Sequence, residues 1–164
     1  MGPSELAREL LQRVAETLEP ASRERLYADE DQEATDTPAA IPGALQHFAL
    51  EAATRAVRDP HLWHQALGEL LSEPKARVWF EAPKVPIELS HGLRLHQRTR
   101  MLYDLRHVYI NGEAFRAAGR DARVLRRLAD RRGLRAQEVA QLSPQALGTL
   151  QEWAEAGWLD GGSP

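Results

Sequence analysis

The sequence predicts an α+β fold that is mostly α-helical, with a helical module at residues 1–74 and a second domain at residues 75–164. Proline-punctuated amphipathic helices fill the first part, whereas the second combines a strand pair joined by Asn-Gly with three short helices. Residues 1–74 hold 6 Lys+Arg against 14 Asp+Glu, and residues 75–164 hold 15 against 10. This reversal of charge supports the division into two modules.

The overall composition narrows the class of protein. A chain of 164 residues with 27% charged residues suits a soluble globular protein. Cysteine is absent, which excludes disulfides, thiol catalysis and zinc–cysteine sites and is consistent with the reducing cytoplasm. No apolar run approaches the roughly 18 residues of a membrane span. We therefore expect a cytoplasmic location and no membrane partner.

Three helices are predicted in the first module. The first runs from Ser4, a good N-cap, to Leu18. Residues 28–40 are acidic and polar, which is typical of an exposed linker. The second helix follows Pro42. The third begins with Asp59 as its cap and Pro60 at the first helical position, and it ends before Ser72.

The second and third helices each carry a wide apolar stripe. About seventy residues provide little material for an independent core, so these stripes are expected to be covered by a partner domain or by a second copy of the chain. We predict a homodimer. The candidate interface comprises Leu45, Phe48, Leu62, Trp63, Leu67 and Leu70.

The second module begins with strands. Residues 75–86 are expected to be extended, and Gly92–His96 alternates like a strand. A hairpin is predicted at Val108–Phe115, because Asn111-Gly112 supplies the two positive φ angles of a type I′ turn. In that register Val108 pairs with Phe115 and Ile110 with Glu113.

Three short helices follow the hairpin. Asp121 is expected to cap the first, and Gly133 to close it in a left-handed conformation. The second covers Arg135–Leu142, and Ser143 caps the third, which Gly157 terminates. Residues 158–159 are expected to return as a short strand beside the hairpin. A hairpin, three helices and a closing strand are typical of a winged-helix domain, a fold usually associated with DNA binding.

No catalytic or metal-binding pattern is found in the sequence. His61 and His64 have a helical spacing that could hold an ion, but no nearby Asp, Glu or Cys completes a ligand set. No serine lies in a Gly-x-Ser-x-Gly motif, and there is no glycine-rich phosphate loop. We therefore predict no catalytic residue, no metal and no cofactor in this chain.

Nucleic-acid binding is the main competing hypothesis. Five arginines could form a basic contact face: Arg116, Arg120, Arg123, Arg127 and Arg131. In a winged helix, however, the third helix reads the bases. Here residues 143–156 carry Glu152 and Glu155 and no Lys or Arg. Because this helix would repel phosphates, a basic surface that faces a protein or the ribosome, or a solvated arginine-rich helix, is favoured over DNA binding.

Several motifs together resemble a known family. The Ser72-Glu73-Pro74-Lys75 junction, the VYINGE hairpin and the Gly157-Trp158 ending are similar to the C-terminal half of the bacterial cupin (JmjC-type) ribosomal oxygenases. The resemblance covers most of residues 41–160. It implies a parent enzyme that uses Fe(II) and 2-oxoglutarate to hydroxylate an arginine of a ribosomal protein.

The resemblance also implies an architecture in which a catalytic barrel precedes a dimerisation region and a winged helix. The iron ligands and the 2-oxoglutarate anchor of that family have no counterpart here. The chain is thus expected to be a non-catalytic part that assembles the enzyme and positions its substrate. Two alternatives remain open, a stand-alone winged-helix DNA-binding regulator and a small protein-binding adaptor.

Overall fold

The computed structural model describes residues 2–18, 27–28, 37 and 39–162. The chain divides into two compact units, Met1–Ala66 and Leu67–Pro164. The described helices and strands confirm the predicted α+β class with mostly α content. The helices are α1 Pro3–Thr17, α2 Gly43–Ala56, α3 Pro60–Ser72, α4 Gly119–Arg131, α5 Ala136–Val139 and α6 Pro144–Glu155. The strands are β1 Leu93–Leu95, β2 Met101–Tyr103, β3 His107–Ile110, β4 Glu113–Arg116, β5 Gly133–Leu134 and β6 Leu159–Gly161.

The helix α1 starts earlier than predicted. Its N-cap is Gly2 and not Ser4, because Pro3 already takes the first helical position. The Glu5 carboxylate accepts a hydrogen bond from the backbone N–H of Gly2 at 3.3 Å. Most of the predicted acidic linker at residues 28–40 lies outside the described residues.

The helices α2 and α3 form where the proline breaks predicted them. The Asp59 carboxylate accepts a hydrogen bond from the backbone N–H of His61 at 2.8 Å, as expected of a cap. At its other end α3 includes Ser72 and is therefore longer than predicted. The two compact units divide inside α3, between Ala66 and Leu67. The domain limits at 1–74 and 75–164 stay predictions.

Two small antiparallel sheets form in the second unit, in the strand orders β5-β1-β6 and β2-β3-β4. The predicted hairpin is confirmed: Val108 pairs with Phe115 and Ile110 with Glu113. Asn111 and Gly112 both have positive φ angles, of 50° and 92°. The predicted closing strand is displaced, because β6 pairs with β1 and not with the hairpin. Residues 75–86 form no strand.

Two predictions about α4 were wrong. Asp121 lies in the first turn and does not cap the helix, whose N-cap is Ala118. The Asp121 carboxylate instead accepts hydrogen bonds from the backbone N–H of Ser143 at 3.0 Å and its hydroxyl at 2.6 Å. The left-handed residue at the end of α4 is Arg132, with φ 58°, since Gly133 already belongs to β5.

The helix α6 begins as predicted. The Ser143 hydroxyl accepts a hydrogen bond from the backbone N–H of Ala146, and Pro144 occupies the first position.

The core of the second unit lies between the helices and the sheets. Trp153 is 1% exposed, and its ring meets that of Phe115 edge to face at 5.0 Å between centroids. Of the helices in the described part of the chain, none has the length and apolar character needed to cross a bilayer.

Candidate interaction surfaces

Four of the five arginines of the predicted basic face lie on one side of α4. Arg120, Arg123, Arg127 and Arg131 are spaced three and four residues apart, so they form one stripe along α4. The opposite side of α4 is buried through Ala122, Val124, Leu125 and Leu128. Arg116 ends the strand β4 that leads into this helix.

The C-terminal half of this stripe is partly neutralised by one carboxylate of the same unit. The Glu138 carboxylate lies 2.7 Å from the guanidinium of Arg127 and 3.6 Å from that of Arg131. The same carboxylate accepts a hydrogen bond from the backbone N–H of Arg135 at 3.0 Å. These contacts, that of Arg135 foremost, hold the pKa of Glu138 below its usual value.

The part of the basic face that contacts no carboxylate of the described residues lies at its N-terminal end. Arg116, Arg120 and Arg123 are exposed and form no ion pair within the described part of the chain. Two neighbouring arginines serve the fold instead. Arg126 donates to the carbonyls of Asp104 and Leu105, and Arg132 donates to those of residues 96 and 99.

The helix α6 occupies the place of the expected recognition helix and presents acidic side chains. Glu152 and Glu155 are exposed, and Gln151 donates a hydrogen bond to the Glu155 carboxylate at 3.2 Å. The sequence of α6 contains no Lys or Arg. Its outer side is thus unsuited to a polyphosphate backbone.

The predicted dimer-interface residues are all half-buried, namely Leu45, Phe48, Leu62, Trp63, Leu67 and Leu70. The ring of Phe48 lies 5.5 Å from that of Tyr27. The indole N–H of Trp63 donates to the carbonyl of Val57 at 2.8 Å. These side chains therefore pack partly within the chain, and their role in dimerisation stays a prediction.

Two exposed apolar side chains at α2 are not among the candidate interface residues. Leu50 is 67% exposed and Val57, which follows the helix, is 39% exposed. No residue of α2 is buried. Val57 was expected on the same face as Phe48, whereas the spacing of seven residues places it with Leu50, on the other side of a helix.

A hydrogen-bonded cluster fixes the loop between β2 and β3. The Tyr109 hydroxyl donates to the Asp104 carboxylate at 2.6 Å, and the backbone N–H groups of Arg106 and His107 donate to the same carboxylate at 2.7 Å. Burial and this contact raise the pKa of Tyr109. Although burial opposes it, the hydrogen bonds keep the pKa of Asp104 below its ordinary value.

The ring of Tyr109 lies directly against Gly68 of α3. A Cβ at position 68 would meet three atoms of the phenol ring. The absence of a side chain at Gly68 is therefore what lets the ring reach Asp104. Nothing in the local sequence around Gly68 indicated this contact.

The end of α3 is tied to the hairpin turn. The buried Ser72 hydroxyl accepts a hydrogen bond from the backbone N–H of Gly112 at 3.1 Å. Arg100 donates to the carbonyl of Glu73 at 2.8 Å, and its backbone N–H donates to the Asn111 side chain at 3.0 Å. Two motifs far apart in the sequence, the Ser-Glu-Pro junction and the Asn-Gly turn, thus depend on each other.

An open groove of about 520 Å³ lies along the segment that precedes the sheets. Its lining includes the exposed Trp79, the aromatic rings of Phe80 and His96, and Arg98. The carbonyl of Glu81 lies against Gly157, where an added Cβ would collide with it. Close contact between the backbones of Glu81 and Gly157 therefore forms one part of the groove wall.

Among the residues that the structure describes, none form a set that fits an iron centre. Across the described ranges, no three His, Cys, Asp or Glu side chains come together in a way that could hold a metal ion. His61 and His64 are both exposed on α3. The described residues therefore do not provide the two histidines and one carboxylate that bind iron as a facial triad.

Comparison with known proteins places these features in a family. A family model described as "ROXA-like winged helix" matches residues 51–160. A search of curated proteins gave no match.

Solved structures of a ribosomal oxygenase from Escherichia coli are among those that match. A crystal structure of the ribosomal oxygenase YcfD matches with a TM-score of 0.70 and 20% identity, over 98% of this chain and 46% of that chain. YcfD in complex with cobalt and 2-oxoglutarate matches with a TM-score of 0.65 and 22% identity, over 96% and 44%. The chain thus spans less than half the length of these relatives, and the likeness establishes the fold. Since the family model covers most of the sequence, the chain belongs to the ROXA-like winged-helix family.

Proposed function

We propose that this chain is the non-catalytic C-terminal part of a ribosomal oxygenase dependent on iron and 2-oxoglutarate. In this proposal it assembles the enzyme and positions its substrate, a ribosomal protein. The observation that carries the proposal is the structural likeness of nearly the whole chain to less than half of YcfD. The lack of an iron-type donor set in the described residues supports a role other than the chemistry.

Assembly is supported by the first unit. An α-helix of 14 residues with no buried side chain contributes little to a core of its own. Leu50 at 67% exposure and Ile41 at 66% add apolar surface near the same helix. Covering such surface is favourable by about 25 cal/mol per Å². A second copy of the chain is the proposed cover, and the chain is a homodimer in this proposal.

Sedimentation equilibrium tests the dimer directly. The wild-type chain is expected at twice 18.4 kDa. Leu50→Asp places a charge on an exposed position, so it is expected to leave the fold intact and give the mass of one chain. Val85→Asp is the matched control, because Val85 is 74% exposed and lies in the other unit. A wild-type mass of 18.4 kDa at every concentration would refute assembly through this surface.

Charged replacement of the half-buried positions gives a second measurement. Phe48→Asp or Leu67→Asp is expected to yield a monomer or an insoluble chain. If both variants stay soluble with the wild-type mass, these side chains belong to the internal core instead.

The non-catalytic role is tested separately. Purified chain supplied with Fe(II) and 2-oxoglutarate is expected to release no succinate, and succinate production would contradict the proposal. An antibody raised against this chain is expected to detect a cellular product much heavier than 18.4 kDa. A product of 18.4 kDa would favour the regulator or adaptor alternatives.

A further inference from the structure

The loop between β2 and β3 displays a leucine to solvent. Its residues 104–106 are here called the Leu105 tip. Leu105 is 90% exposed, the highest value of any large apolar side chain in the described ranges. A single exposed leucine is common on protein surfaces. The loop that carries this leucine is, however, held by several hydrogen bonds.

The tip is held rigidly from inside the hairpin. The Asp104 carboxylate accepts hydrogen bonds from two backbone N–H groups on one oxygen and from the Tyr109 hydroxyl on the other. The backbone N–H of Asp104 in turn donates to the carbonyl of His107 at 3.0 Å. This arrangement is an Asx-type turn closed by a buried phenol.

The tip is also held from outside by α4. The guanidinium of Arg126 donates to the carbonyls of Asp104 and Leu105, each at 3.0 Å. The same guanidinium lies 5.6 Å from the centre of the Tyr103 ring. The Tyr103 hydroxyl donates to the carboxylate of Asp130. With its backbone fixed on both sides, the loop has little conformational entropy left to lose on binding.

Arginines outnumber carboxylates around the tip, where the negative groups are Asp104 within it and Asp130 beside Tyr103. Arg106 belongs to the tip, and its carbonyl accepts a hydrogen bond from Ala117 at 3.4 Å. Arg116 pairs across the hairpin with His107, next in the chain to the tip. Arg123 lies one turn before Arg126 on α4, and both it and Arg116 are exposed.

We infer that the Leu105 tip is a docking point for an acidic protein surface that contains an apolar socket. Leu105 enters the socket, and the arginines at the rim face carboxylates of the partner. A nucleic acid is disfavoured because Leu105 offers no ring on which bases stack, and the Arg126 guanidinium already lies over the ring of the neighbouring Tyr103. This inference concerns the second unit and goes beyond the proposed dimer.

A phage-displayed library of random peptides provides the probe. Selection on the wild-type chain, with removal of phage that bind Leu105→Ser, is expected to enrich peptides in which Asp or Glu flanks apolar residues. Enrichment of basic peptides would overturn the inference. So would a selection in which no peptide depends on Leu105.

Fluorescence anisotropy of a selected peptide then measures how much Leu105 and the neighbouring Arg123 contribute to the binding affinity. Leu105→Ser is expected to weaken binding at least about tenfold, the loss typical of a central apolar anchor. Val85→Ser is the matched control at an exposed apolar position and is expected to bind like wild type. Arg123→Glu is expected to weaken binding and to reduce its dependence on salt.

A labelled RNA duplex tests the other class of partner in the same assay. The expected result is that Leu105→Ser leaves RNA binding unchanged. RNA binding that requires Leu105, without binding of acidic peptides, would overturn the inference. Thermal unfolding of each variant followed by circular dichroism establishes that the fold is retained, as expected for a side chain that is 90% exposed.

Discussion

The contact between Gly68 and the Tyr109 ring makes a sharp prediction about stability. In an open helical position, replacement of glycine by alanine stabilises a helix by about 1 kcal/mol. At Gly68 the new methyl group would overlap the phenol ring, which is buried and hydrogen-bonded to Asp104. The ring must move, and the bond to the carboxylate is then lost.

The expected size of the effect follows from three contributions. Overpacking costs about 1–3 kcal/mol, and the helix gain offsets about 1 kcal/mol of it. Loss of the bond to the partly exposed Asp104 adds about 1.5 kcal/mol, the lower end for a charged acceptor. Gly68→Ala is therefore expected to lower the free energy of unfolding by about 1.5–3.5 kcal/mol.

Urea denaturation followed by circular dichroism measures this difference. The matched control is Gly148→Ala in α6, where nothing lies within 4 Å of the added methyl group, so this variant is expected to be more stable than wild type. In a Tyr109→Ala background the cost of Gly68→Ala should disappear, because the ring is gone. If Gly68→Ala behaved like Gly148→Ala in the wild-type background, the argument would be refuted.

Three further variants test other contacts. The pKa of Asp104 is lowered in the folded protein, so its stabilisation is present above the unfolded value of about 3.9 and is lost as the pH falls through the folded value. Urea titrations should show Asp104→Asn less stable than wild type at neutral pH, with the difference shrinking as the pH falls below the unfolded pKa of Asp104. Asp121→Ala removes the acceptor of two Ser143 hydrogen bonds and should cost about 1.5–3 kcal/mol in chemical denaturation, whereas the exposed Asp160→Ala should stay within about 0.5 kcal/mol of wild type. Gly157→Ala should lower the melting temperature, because φ is 75° there and the methyl group would collide with the Glu81 carbonyl; an unchanged melting temperature would show that the segment yields freely.

The hairpin turn and two helix caps could be predicted from a few adjacent residues. Asn111-Gly112 determined the hairpin and its register, because the turn type fixes which residues face each other. Ser143 and Asp59 were identified as caps because each is followed by proline at the first helical position. Asp121 has the same cap chemistry, but its carboxylate is engaged by Ser143, 22 residues away. A contact with a residue so distant in the sequence cannot be predicted from the residues around Asp121.

The surfaces were predicted less completely than the fold. The stripe of arginines on α4 followed from helical spacing, but its partial neutralisation by Glu138 depends on how α5 packs. The apolar stripes were chosen by helical period, which selected half-buried side chains such as Phe48 over the more exposed Leu50. Leu105 was not selected at all. What distinguishes it is its exposure and the hydrogen bonds that hold its loop, and neither can be recognised from the residue type.

The pairing of β1 with β6 has a consequence for the order of folding. Leu95 pairs with Leu159, and the Thr99 hydroxyl donates to the carbonyl of Trp158, 59 residues later in the chain. Contacts this distant in sequence must close a long loop before they stabilise anything, which slows folding. During synthesis the winged helix can thus be completed only after residue 161 has left the ribosomal tunnel. A nascent or truncated chain lacking β6 would leave one edge of β1 unpaired, where another strand could add to it.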